Sequence, residues 1–594
     1  MMFDKVFEFL QRFAEVHSVK SRDEINLPSS DSIPYASCPL PSAFPDNSSF
    51  LLNSSSFVKD PITQRSISPR RRCAIAIVSA AICLIGVTER ADAKEIELKV
   101  GIVQRFGEEA NETISISSQG GSLDLRFTTK NGKAQALKTK SVKLEIVQQP
   151  IPTPIVEEKL VLSDRATFET AEHSAEAWKK LGVEIEITQP GRWQVWAKRD
   201  VYNTPLLRLW LLQSLQQKGY TRPHLQTKTK STQPEVSFIV AGNTYQVTQL
   251  QISSPSNPIL VNKGKNNSSR LLYEGGLKIQ PNAYGNFTVV NQVPLETYLR
   301  GVVPYEIGPG APQKAIEAQA ILARTYALRN LRRFQADGYE LCATVHCQVY
   351  KGLSGATRRT DKAIAATKNL VLTYDRELID ALYHSTSGGV TAPFSDIWDG
   401  AERSYLQPRI DSPARIWDLS KLSLADKGNL RRFIATKAGF NETRTSRVFR
   451  WSRVKSLKRI SKDLQEYLEI TNHPLADLSA VKRMEVSERS PSGRILTLVV
   501  ETDRGIVELH KTEVRSALSG TLSTLFYLEP IYSASKVLQG YKYIGGGFGH
   551  GVGMSQYGSY NLARLGWSAP KILEFYYPGT TLEPVDDRIV FWQE

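Results

Sequence analysis

The stretch Gly545-Gly546-Gly547-Phe548-Gly549-His550-Gly551-Val552-Gly553-Met554-Ser555-Gln556-Tyr557-Gly558 decides how this chain is read. Half of its residues are glycine, which costs backbone entropy at every position and disfavours both helix and packed strand. A flexible linker is the bland reading. Linkers rarely interleave His, Met, Gln and Tyr with their glycines, however, and this run leads directly into an amphipathic helix predicted over 560–566. The pattern suits a backbone held in unusual conformations or brought close to a ligand.

Working outward, 594 residues exceed one ordinary domain, so two or three are expected. A hydrophobic fraction of 41% suits a globular protein. The net charge of +15 points to anionic surroundings: nucleic acid, anionic lipid or anionic wall polymer. No basic–aromatic RNA motif and no zinc-finger spacing occurs, so nucleic acid is set aside.

Residues 1–69 are rich in Ser, Pro and Asn and read as a disordered N-terminal extension. Residues 70–93 then carry the parts of an export signal: Arg70-Arg71-Arg72, an apolar run over 73–87, and Ala91-Asp92-Ala93. The run is short for a membrane span. Export to the periplasm or cell envelope is expected, either with cleavage after Ala93 or with 73–87 retained as an anchor. Residues 94–268 have a β-rich texture and are expected to form an accessory module. Within it, 191–197 reads as a strand and 205–217 as a helix, begun by Pro205 and ended at Gly219. This strand–helix order over 191–225 faintly resembles SPOR-type glycan-binding modules. A polar linker over 262–270 leads to one domain over 269–594, so the fold class is α+β. Helices are predicted over 295–303 and 312–332, and a basic helical insertion over 429–469. A hairpin is expected over 482–502, turning at Pro491-Ser492-Gly493.

Glu306 is the first candidate for chemistry. It follows Val302-Val303-Pro304-Tyr305 and shortly precedes Gly308-Pro309-Gly310. An apolar, turn-bound carboxylate loses hydration, which favours its protonated form and fits a general acid. The competing reading is an ordinary glutamate placed near a helix start by the helix dipole.

Several segments carry a resemblance. Tyr298-Leu299-Arg300-Gly301-Val302-Val303-Pro304-Tyr305-Glu306 and Ala323-Arg324-Thr325-Tyr326-Ala327 come first. Gln348-Val349-Tyr350-Lys351-Gly352 follows, then His384-Ser385-Thr386-Ser387-Gly388-Gly389-Val390-Thr391. Arg515 with Leu522-Ser523-Thr524-Leu525-Phe526 precedes the glycine stretch, and Tyr576-Tyr577-Pro578-Gly579 closes the series. In this order they resemble the SpoIID/LytB family, peptidoglycan-acting proteins of the bacterial envelope, over about 270–594. The resemblance implies a SpoIID-type mixed domain and a lytic transglycosylase that cleaves the β-1,4 bond between N-acetylmuramic acid and N-acetylglucosamine. Glu306 would be its acid and then its base, and no cofactor is required. One carboxylate suffices because the muramoyl C6 hydroxyl is the nucleophile; a hydrolase needs two carboxyls at defined separation. Asp396 and Asp399 are available, but nothing in the sequence pairs them with Glu306.

The polar residues inside the motifs, Gln319, Arg324, Thr325, Ser387, His550, Ser555 and Gln556, are candidates for the substrate cleft. Gly388 and Gly389 are candidates for close backbone approach to a sugar. Cys342, His346 and Cys347 raise a metal question. Some family members bind zinc here through two Cys and two His, but 330–341 contains no His. Zinc, a Cys342–Cys347 disulfide and free thiols all stay open. The expected partners are peptidoglycan glycan strands. The resemblance also permits a non-catalytic reading, an enhancer of a cell-wall amidase.

Overall fold

A computed structural model describes residues 95–592 apart from 110, 256–257, 264–269, 444–445 and the side chain of 446. The expected disordered extension, the export segment and most of the polar linker lie outside the described residues.

The strand Glu97–Phe106 buries Leu98, Val100 and Ile102 and organises the first sheet. It runs antiparallel to Phe287–Pro294, with Leu98 opposite Val293 and Val100 opposite Asn291. On its other edge it pairs in parallel with Leu341–Cys342. The seven-stranded order is Leu341–Cys342, Glu97–Phe106, Phe287–Pro294, Gly276–Pro281, Leu250–Ser253, Leu123–Thr128 and Ala134–Thr139. Strands expected in the accessory module and strands expected in the domain from 269 therefore alternate within one sheet. One apolar core runs from Leu98 through Tyr273 and Leu299 to Ile589. Each fully buried Leu, Ile or Val in it contributes about 1.5–3 kcal/mol by removal from water.

A second sheet carries the longest ladder of the fold, Ser141–Arg165 against His224–Val240, interrupted between Pro150 and Ile155. Two helices rest on this part. Phe168–Lys180 begins at Thr167, whose hydroxyl accepts the Thr170 N–H. Pro205–Gln217 begins at Thr204, whose hydroxyl accepts the Leu207 N–H. The predicted helix over 205–217 thus has the expected bounds. Trp193 packs against Phe334 with ring centroids 5.1 Å apart, joining this layer to the region that follows.

The helix Leu295–Glu306 ends where Gly308 takes φ +80°, the left-handed turn that stops a helix. The next helix, Gln313–Arg329, is buried on every side from Ala315 onward, not only on one face. The hairpin over 482–502 forms as Val481–Arg489 and Ile495–Thr502. The basic insertion departs from expectation. Lys427–Ala435 and Leu457–Ile470 are helical, but Arg450–Ser456 is a strand between Ser446–Phe449 and the second helix. The reason is its partner: Arg450 lies opposite Gly546 and Trp451 opposite Gly545 on the strand Leu538–Gly546, which enters the glycine stretch. The helix that follows the glycine stretch is Gln556–Arg564, which starts earlier than predicted, and a further helix, Ala569–Tyr576, comes after it. Among the described residues no helix is long and apolar enough to cross a membrane.

Candidate active site

Glu306 is the last residue of the helix Leu295–Glu306, and its position follows from that helix's termination. The residue is half-buried. Its Oε1 accepts the Val349 N–H at 2.7 Å, and the Tyr383 phenol also bonds the carboxyl. Loss of hydration outweighs both bonds and pushes the carboxyl up to about 7. Near neutral pH the group is therefore divided between acid and carboxylate.

Tyr383 stands between two acceptors. Its hydroxyl donates to Gln348 Oε1 at 3.0 Å, while Gln348 Nε2 donates to Ala323 O at 3.2 Å. A phenol has one proton to give. With Glu306 protonated, the acid can donate to the phenol oxygen while Tyr383 donates to Gln348. With Glu306 ionised, the two acceptors compete for the phenol proton.

The glycine stretch closes on this helix end. Gln556 Nε2 donates to the Glu306 backbone carbonyl at 2.9 Å, and the Tyr560 hydroxyl donates to the Ile307 carbonyl. These bonds satisfy carbonyls that a helix terminus leaves without partners. Met554–Ser555 runs parallel to Tyr383–His384, so the stretch and the Tyr383 segment form one small sheet. The glycines are required by contact. Gly553 has φ +72°, and a Cβ there would stand 1.9 Å from the Leu382 carbonyl oxygen.

His550 lies against the Tyr383 backbone. Its Nδ1 accepts the Val552 N–H at 3.1 Å, and the imidazole bonds the Tyr383 backbone carbonyl. Burial, then the nearby Arg515, lowers its pKa to about 3, so the ring is neutral at physiological pH. His384 is buried beside it, ring centroids 5.5 Å apart, with Nδ1 on the Val552 carbonyl at 3.0 Å and Nε2 without a partner.

The remaining sequence candidates have internal partners. The Arg324 guanidinium grips Glu296 at 2.7 and 2.8 Å and is wholly buried. Thr325 Oγ1 donates to the Ile321 carbonyl and accepts the Leu372 N–H. The N–H groups of Ser387, Gly388 and Gly389 all point to one carboxylate, Glu442, as does the Ser555 hydroxyl. The expected openness of the Gly388-Gly389 backbone to a sugar is thus taken by a side chain of the fold itself. Gln319 differs: it is fully buried, and neither amide atom has a hydrogen-bond partner. Asp396 accepts the Ser490 and Ser492 hydroxyls and Asp399 pairs with Lys511 at 2.7 Å, so each carboxylate is engaged away from Glu306.

Sequence reasoning passed over Tyr383, Gln348, the Val349 amide, Asp411 and Glu442. The middle motif already contains Gln348 and Val349, and Tyr383 directly precedes the His384 motif. Asp411 and Glu442 lay in polar segments with no periodicity. Both are fully buried. Burial, then the charge of Glu442, raises the Asp411 carboxyl well above its usual range, and the two side chains are hydrogen-bonded. Asp411 also accepts from Tyr576 at 2.9 Å and from Asn441 at 2.8 Å.

Cys342 and Cys347 are bonded to each other. This is the disulfide alternative, and it corrects the zinc reading: a bonded pair offers no thiolate to a metal, and His346 beside it is exposed. Among the described residues no group of three or more His, Cys, Asp or Glu is arranged to hold a metal ion. Replacing both cysteines by serine is expected to cost about 2 kcal/mol, because so short a loop removes little chain entropy. Denaturant unfolding of the variant, and of the wild type with and without reductant, measures it.

With this geometry in view, residues 283–374 match the family described as Stage II sporulation protein. Over these residues the chain carries a SpoIID-type domain. Residues 392–553, which include Asp411, Glu442 and most of the glycine stretch, match a domain of unknown function, DUF8618. Among individual relatives, the Bacillus subtilis (strain 168) protein named amidase enhancer is 32% identical over 298 residues, 48% of this chain and 40% of that protein. The chain thus matches less than half the length of that relative. Stage II sporulation protein D of the same organism is 28% identical over 329 residues, covering 52% of this chain and 81% of the relative.

Proposed function

We propose that the protein is a peptidoglycan lytic transglycosylase with Glu306 as its acid and base. The observation that carries this reading is the Glu306 carboxyl, desolvated at a helix end and pushed up to about 7 while still bonded by Val349 and Tyr383. Its protonated form gives a proton to the glycosidic oxygen as the C1–O bond breaks. The carboxylate that results is stabilised by the Val349 N–H and by the Tyr383 proton. It then takes the proton of the muramoyl C6 hydroxyl while O6 bonds to C1. The products are a 1,6-anhydro-muramoyl end and a free N-acetylglucosamine hydroxyl. The proton count closes, and no water is consumed.

A second reading is favoured by the relative named amidase enhancer. In it the protein binds the wall and accelerates a cell-wall amidase without cleaving glycan. The two readings part when the full chain is incubated with denuded glycan strands and the products are weighed by mass spectrometry. Anhydro-muramoyl ends from the wild type and none from Glu306→Ala support the enzyme. Their absence from both transfers the function to the enhancer reading. Either activity places the protein in the cell envelope.

A further inference from the structure

The helix Pro205–Gln217 is built with two apolar faces where a surface helix needs one. Its inward face is set by Leu212 and Leu215, which are buried, with Leu211 packed beside them. Arg208 also points inward: its Nε donates to Glu158 Oε1 at 3.0 Å and its NH1 to the Tyr202 carbonyl at 2.9 Å. At 100° per residue, Leu206 and Trp210 fall on the opposite side, flanked by Leu207 and Leu209. In that order they are exposed by 51, 57, 38 and 41%. Val201 just before the helix is exposed as well, as are Ile155 and Val156 on the strand Ser141–Arg165 that the helix rests against. Contiguous exposed apolar side chains of this size are uncommon on a surface that meets only water.

The charge around them names the partner. Residues 201–234 contain no Asp or Glu, yet they contain Arg208, Lys218, Arg222, Lys228 and Lys230. Arg208 and Lys230 neutralise the neighbouring carboxylates Glu158 and Glu157. Lys218, Arg222 and Lys228 are exposed and form no ion pair among the described residues. Exposed leucine and tryptophan, followed by unpaired basic side chains in a run free of acidic residues from 201 to 234, are the chemistry of a helix that lies in a membrane interface. We infer that the exposed face of Pro205–Gln217 docks the protein on an anionic lipid bilayer, with Leu206, Leu209 and Trp210 entering the headgroup boundary.

Co-sedimentation of the full chain with vesicles of phosphatidylglycerol and phosphatidylcholine, against pure phosphatidylcholine, tests this. The wild type is expected to pellet with the anionic vesicles and to be released by salt. Leu206→Asp/Trp210→Asp is expected to bind about tenfold or more weakly, and Lys218→Glu/Arg222→Glu to lose the preference for anionic lipid. An independent measurement uses the wild type itself: brominated lipid should quench a component of tryptophan fluorescence that Trp210→Phe removes. Equal pelleting of wild type and Leu206→Asp/Trp210→Asp would overturn the inference, because another part of the chain, such as the apolar run 73–87, would then carry the binding. A dimer that the same variant dissolves, with no vesicle binding by the wild type, would overturn it in favour of a second copy of the chain. Binding to a partner protein that blocks vesicle pelleting without any quenching at Trp210 would overturn it too.

Discussion

Glu306→Gln is expected to keep the fold and lose about 10³-fold in the rate of anhydro-muramoyl end formation, the range that a positioned acid–base group supplies. Glutamine still presents an oxygen to the Val349 N–H, so the helix end keeps its bond, while no proton can be passed to the glycosidic oxygen. For the wild type the rate should fall as pH rises through about 7, because the acid form is consumed there. The same substitution moves stability the other way. The folded carboxyl binds its proton more tightly than the unfolded one, so its contribution is fully present below the unfolded pKa and is lost as pH rises to the folded one. That window runs from 4.5 to about 7. Glutamine has no such loss. The variant should therefore gain about 2–3 kcal/mol on the wild type across the window and hold that lead above it. Denaturant unfolding at several pH values, beside mass-spectrometric rates, checks both halves. A variant that loses activity without this pH-dependent gain would place the desolvated acid elsewhere.

The second large effect is expected at Glu442. Removing its side chain in Glu442→Ala leaves the Ser387 and Gly388 N–H groups without their acceptor in a dry interior, and leaves the Gly389 N–H only Ser387 Oγ and the Ser555 hydroxyl only the Ser385 carbonyl. A loss of about 4 kcal/mol follows from orphaning buried donors and a neighbouring acid. Asp411→Asn is the contrast. Its amide can donate to Glu442 where the acid proton did and can still accept from Tyr576, so it should cost less than about 1 kcal/mol. The sign of the pH dependence is set by the raised Asp411 carboxyl, whose contribution is present at low pH and lost as pH climbs through its folded pKa. Asp411→Asn should flatten that loss, as thermal melts across a pH series would show.

What could be read in advance differs by element, for physical reasons. The helix Pro205–Gln217 carries its own start in Thr204 and Pro205 and its own stop at Gly219, so local chemistry sufficed. The loss of hydration at Glu306 was legible because apolar neighbours and the Gly308 turn both sit within a few residues of it. The strand Arg450–Ser456 was not, because its basic side chains hide the alternation and its reason for existing is a glycine strand almost a hundred residues away. Glu442 belongs to the same case. Nothing near Asn441-Glu442-Thr443 announces a buried carboxylate, and its partners are amides of a distant turn. Tyr383 and Glu306 likewise meet across a span that no window of sequence contains.

The strand Glu97–Phe106 has an implication for how the molecule is made. Its two neighbours, Phe287–Pro294 and Leu341–Cys342, are translated long after it, and both are needed before its two backbone edges are paired. A polypeptide threaded amino end first through a translocation channel would therefore hold this segment open until the middle of the molecule had crossed. Folding dominated by such distant pairings is slow. Holding factors on the far side would shorten that exposed interval, and a stalled chain lacking residues beyond 294 would be left with a naked sheet edge prone to aggregation.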